Sequence, residues 1–284
     1  MSQPGELTLA AAAAIAIEIA LPLCGLGLIV RRFILGPGAR PRREARLPEW
    51  RLPPIDFGCF LCFGFLGAMT LSGIAGLALR RASLGRDAAT IVGYAAMEGG
   101  FLLGIAGFYA LFGARVRGDG VPPALIPALK SGLATFLIAM PLVDAVNFAS
   151  EFAITRMGFP NEKQEIVDIF ENIHSAALRW LFVALAAFLV PAAEEVLFRA
   201  GLFRYFRTRA PRWVAIGLTS TLFGALHVAW GEHMAGLPSL LPLVALAIVF
   251  CLAYEHTGMI GTTIVAHALF NLNSMFLVAA GIGS

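Results

Sequence analysis

The chain has 284 residues, of which 58% are hydrophobic and 14% charged, with a formal net charge of +3. Soluble domains carry about a quarter charged residues, so this composition excludes a water-soluble globular protein and points to an all-α integral membrane protein. The arginines that make the charge positive sit in loops where membrane topology accounts for them, so no nucleic-acid partner is expected.

A helix needs roughly 20 apolar residues to cross the hydrocarbon layer. The apolar pattern predicts eight such spans, at 7–30, 55–79, 88–113, 124–148, 178–206, 213–230, 239–254 and 259–281. They would form one bundle of about eight transmembrane helices with a buried polar cavity. The first span follows MSQPGELTL, which has no basic n-region, so a retained helix rather than a cleaved signal peptide is expected. Arg31, Arg32, Arg40, Arg42, Arg43, Arg46 and Arg51 then mark a cytoplasmic loop. Arg115 and Arg117 fall on the same side, as do Arg204, Arg207, Arg209 and Arg212 in RYFRTRAPR. The acidic stretch NEKQEIVDIFE and the C-terminus fall outside, and Arg80, Arg81 and Arg86 fall outside against the rule. Cys24, Cys59, Cys62 and Cys251 lie within spans, and CFLC at 59–62 has no second pair to complete a zinc site, so all four read as small core residues.

Residues 1–148 form four Gly- and Ala-rich N-terminal spans, whose ionisable members Glu18, Glu98, Lys130 and Asp144 do not cluster in sequence. Residues 149–177 read as a polar, amphipathic connection, and residues 178–284 as the working core. Glu18, Glu98 and Lys130 would be the relay groups of a transporter, but the related halves expected of one are not seen.

In the core, PAAEEVLFRA places two carboxylates and an arginine inside an apolar run. An ionisable group at membrane depth costs at least ~2.5 kcal/mol and normally faces the bundle interior or a cavity. Glu195 and Arg199 are spaced i, i+4, so they share a helix face and can neutralise each other. Glu194 points about 100° away and is left without a dedicated partner, which suits a general base. Pro191, one turn earlier, frees a backbone carbonyl and is expected to open the helix. The competing reading is a buried ion-pair network that fixes packing. Two further elements argue against it. His227 in TLFGALHVAW lies about 14 residues past Arg212 and Glu194 about 13 before Arg207, so each is roughly 20 Å from the same membrane face. His267 and Asn271 in VAHALFNLN share a helix face entered from that side through the turn EHTGM. One carboxylate, two imidazoles and an amide make an inventory for activating water against a carbonyl and holding the oxyanion. Glu232 and His233 in GEHMAG read as solvated, and Glu255 and His256 as interfacial; neither pair enters the site.

The motifs EEVLFR, FGALH at 223–227 and HALFN at 267–271 resemble, in order and spacing, the EExxxR, FxxxH and HxxxN motifs of the CPBP or Abi family: CAAX prenyl proteases and bacteriocin-processing or immunity proteins. The resemblance covers about residues 178–281. It implies an intramembrane endopeptidase in which Glu194 and His227 activate water and His267 and Asn271 stabilise the oxyanion. Glu195 and Arg199 would support the first motif, and Phe223 would pack the cavity wall as ordinary core. No cofactor is expected; the alternative is a zinc ion on Glu194, His227 and His267, although the chain lacks HExxH. The expected partners are the lipid bilayer and a membrane-associated protein or peptide. A non-catalytic scaffold or immunity protein is the alternative function. Arginine-rich usage with only Lys130 and Lys163 as lysines hints at a GC-rich bacterium, and hence at its inner membrane.

Overall fold

The computed structural model describes residues 9–35, 47–82, 84–116, 124–158, 165–228 and 237–282. Arg40, Arg42, Arg43, Arg46, Arg117, Glu232 and His233 lie outside the described residues. Among the described residues there are nine helices and no strand. They are α1 (Leu9–Ile29), α2 (Pro54–Arg81), α3 (Arg86–Val116), α4 (Leu125–Arg156), α5 (Glu165–Asn172), α6 (Ala176–Arg207), α7 (Arg212–His227), α8 (Leu237–Thr257) and α9 (Ile260–Ala279).

Seven of these are long and apolar enough to cross a membrane, not the eight expected. The exception is the predicted span 213–230. Its helix, α7, ends at His227 after 16 residues, where Val228 turns extended. At 1.5 Å per residue it spans about 24 Å, less than the hydrocarbon thickness. Apolar composition cannot show a helix that stops among apolar residues. The other large departure is α4, which runs to Arg156, past the predicted end at 148 and into the stretch read as a connection. The outward faces are apolar, with Leu66, Leu77, Leu103, Phe148 and Trp180 all more than half exposed, as lipid-facing helices require.

Two packing units hold the bundle. In the first, α2 and α3 approach closely through small residues: a Cβ on Gly67 would strike the Gly100 carbonyl, and one on Gly104 the Phe63 carbonyl. We expect Gly104→Val to push these helices apart and to destabilise the protein by about 1–3 kcal/mol, read as a lower unfolding midpoint in detergent. An aromatic cluster fastens this pair to α6. Phe57 stacks on Tyr205 with ring centroids 3.8 Å apart, and Phe60 meets Trp50 and Phe108 edge-on at 5.6 Å each. In the second unit, α4 packs on α1, α8 and α9; Gly132 lies against Val265 and the Thr262 carbonyl, and Ser131 Oγ lies 2.7 Å from Thr262 Oγ1.

One end of the bundle gathers the arginines assigned above to a single membrane side. Glu255 is buried and bridges Arg207 Nε at 2.7 Å and Arg212 Nε at 2.6 Å. Arg204 Nε donates to the Pro48 carbonyl, and Arg209 donates to the Leu52 carbonyl. At the end of α8 Glu255 is the buried anion that joins the α6–α7 turn to the last helical hairpin. Among the described residues, no hydrogen bond or ion pair joins Glu18, Glu98 and Lys130 to one another. Glu18 accepts a hydrogen bond from Asn273 Nδ2 at 2.7 Å, Lys130 is exposed, and Glu98 lies on α3 facing α6.

Candidate active site

The helix α6 is locally unwound on both sides of its two glutamates. Leu185–Leu189 and Val196–Phe203 are π-helical, and only Val190–Glu195 between them keeps α-helical geometry. Pro191 has no N–H to offer, and just before it the Val190 N–H reaches five residues back to the Leu185 carbonyl. The Arg204 N–H likewise reaches back to Arg199. Wider turns of this kind recur at functional sites because they re-aim side chains. Here they flank Glu194 and Glu195.

The three motifs converge. His227 Nε2 lies 3.2 Å from Glu194 Oε1, and His267 Nε2 lies 3.5 Å from Glu194 Oε2. Glu194 was expected to lack a dedicated partner; it lies between two imidazoles instead, because α7 and α9 both end up against the short α-helical turn. The outer nitrogens of these rings fix their tautomers. His227 Nδ1 is 2.7 Å from the Phe223 carbonyl, which can only accept, so Nδ1 carries the proton. His267 Nδ1 is 2.9 Å from Glu195 Oε1, a carboxylate that also accepts from Arg199 Nη1 at 2.9 Å, so this Nδ1 donates as well. Both Nε2 atoms then turn lone pairs toward the Glu194 carboxylate. Three acceptors cannot face one another without a hydrogen between them. The cluster must therefore hold one extra proton, on Glu194 or on an imidazole, and Glu194 can take a proton from water only in the second form, as a carboxylate beside an imidazolium.

Glu195 and Arg199 form the expected pair and are fully buried, at 0% and 1% exposure. Arg199 Nε and Nη2 have no hydrogen-bond acceptor. Aromatic faces take that place: the guanidinium carbon is 4.6 Å from the Phe223 ring centroid and 5.2 Å from that of Phe250. Phe223, expected as ordinary core, therefore has three contacts in the site. Its ring covers Arg199, its carbonyl orients His227, and its ring centroid lies 4.3 Å from that imidazole. Asn271 is joined to the cluster only through its helix: its Nδ2 donates to the Ala186 carbonyl at 2.8 Å, tying α9 to the first π-helical stretch.

Glu194 also forms part of the wall of a cavity of about 460 Å³ between α2, α3 and α6. Phe65, Met69, Met97, Phe101 and Leu197 make it apolar, and Glu98 and Ser72 are its other polar residues. Nothing in the spacing groups Glu98 with the site, because no other charged residue lies within ten positions of it and the first motif is almost 100 residues away. Among the described residues, no three His, Cys, Asp or Glu side chains are arranged to hold a metal ion. Each Nε2 of the candidate zinc set faces its own oxygen of Glu194.

Residues 176–273 match the family model described as type II CAAX prenyl endopeptidase Rce1-like, so the family resemblance of the three motifs is shown over that segment. No curated protein and no solved structure matches the chain.

Proposed function

We propose, from the premise that residues 176–273 are of the type II CAAX prenyl endopeptidase kind, that the chain is an intramembrane endopeptidase acting on a membrane-associated or lipid-modified protein or peptide. The observation that carries the reading is the position of Glu194, on the wall of an apolar cavity and in contact with both imidazoles. Water in that cavity would lose a proton to Glu194, with His227 holding the carboxylate and sharing the proton. The resulting hydroxide adds to the scissile carbonyl, and the negative charge on its oxygen is met by His267, in the form that carries the extra proton at Nε2, and by the amide N–H of Asn271 that is not committed to Ala186. As the C–N bond breaks, the proton held at Glu194 passes to the leaving nitrogen, giving a carboxylic acid and an amine and returning Glu194 to its carboxylate form. Glu195 and Arg199 position His267. This scheme needs no metal, and the arginine-rich, lysine-poor usage supports a bacterial inner membrane as its location.

The test is N- and C-terminal peptide mapping of membranes from cells that carry the chain and from cells that lack it. New termini present only with the chain would establish proteolysis and identify the substrate; identical termini would overturn the reading in favour of a scaffold. We expect cleavage of that substrate by purified protein to survive exhaustive chelation. Loss of activity restored by stoichiometric zinc would replace the metal-free scheme.

A further inference from the structure

We propose that Glu98 is a specificity-determining residue, binding a cationic group of the substrate inside the cavity and holding the adjoining peptide bond over Glu194. The inference rests on the proteolytic reading and extends it to a substrate class, a chain with a lysine or arginine close to the cut.

Glu18 accepts from Asn273, Glu195 from Arg199 and Glu255 from two arginines. Glu98 has no hydrogen-bond or ion-pair partner among the described residues. It is half-buried on α3, a helix long and apolar enough to span the membrane, and it lines the same cavity as Glu194. Among the described residues, the ionisable side chains lining that wall are these two glutamates, with no lysine, arginine or histidine beside them. Arg199 is occupied by Glu195. The wall therefore presents carboxyl oxygens without a cation to pair with them.

An anionic group on a substrate would be repelled from this wall. An apolar one would leave the Glu98 carboxylate desolvated and unpaired, which is costly at membrane depth. A lysine or arginine side chain meets both demands: its methylene stem lies along Phe65, Met97 and Phe101 while its head reaches Glu98. The family match begins at residue 176, so Glu98 belongs to the part of the chain outside it. Substrate choice would then be set by α3, and the chemistry by α6, α7 and α9.

The experiment maps wild-type-dependent termini in cells carrying the wild-type chain or Glu98→Gln, which keeps the side-chain shape and removes the charge. Wild-type cuts should be enriched in lysine or arginine within a few residues of the bond. Glu98→Gln should selectively deplete those cuts. On a fluorogenic peptide built from the most abundant cut site, and its partner with norleucine in place of the basic residue, the wild-type preference in kcat/KM for the basic peptide should fall at least about 30-fold in Glu98→Gln. A merely structural role would slow both peptides equally and leave their ratio unchanged, and that result would overturn the proposal. So would cuts with no basic enrichment. Absence of any wild-type-dependent terminus would instead remove the proteolytic reading itself, and this inference with it.

Discussion

Glu194→Gln is expected to lower peptide-bond hydrolysis by about 10²- to 10⁴-fold while the chain remains inserted and folded, as measured by cleavage of an identified substrate and by thermal unfolding in detergent. The substitution keeps the volume of the side chain and one hydrogen-bonding oxygen, so His227 and His267 retain a neighbour. What it removes is a site on that residue for the shuttled proton. Three acceptors facing one another are in electrostatic conflict that only the extra proton relieves, and an amide that brings its own N–H relieves it permanently. The variant should therefore be at least as stable as the wild type. Stability held or gained while turnover is lost marks a group selected for chemistry over packing. Equal loss of both would return PAAEEVLFRA to a packing network, and full activity would show that another group takes the proton.

The parts of the site that could be read from sequence are those in which spacing within one helix does the work. Glu195 with Arg199, Phe223 with His227 and His267 with Asn271 are each i, i+4 pairs, and counting residues from the flanking arginines put Glu194 and His227 at one depth. The structure brings those two to 3.2 Å. Contacts between helices were not legible. The His267–Glu195 bond that fixes a tautomer, the aromatic faces over Arg199 and the arrival of Glu98 at the cavity all depend on how separate helices rotate against one another. Hydropathy sees only whether a face is apolar. The same blindness produced the eighth span, since α7 is apolar to its last turn and ends at His227, where Val228 turns extended. The partners of Glu255 were hidden for a related reason: the arginines that bury it lie more than 40 residues away in sequence.

Arg199→Ala should be the most destabilising single change in the site, costing about 3–5 kcal/mol, because it leaves Glu195 as a fully buried charge facing only His267. Loss of the guanidinium also vacates the space between Phe223 and Phe250, adding the cost of a cavity to that of the stranded charge. Denaturant or thermal unfolding in detergent reads the loss directly. The companion variant separates the two costs: Arg199→Met combined with Glu195→Gln keeps the volume, removes both charges and leaves an amide oxygen to accept from His267 Nδ1. It should recover most of the lost stability. If the double variant is as unstable as the single one, the aromatic faces over the guanidinium matter more than the buried pair. If Arg199→Ala costs under about 1 kcal/mol, as exposed pairs do, Glu195 is neutral in the folded protein. The Nδ1 proton of His267 would then no longer be fixed by a carboxylate, and the argument for a shared proton at Glu194 would lose one of its two supports.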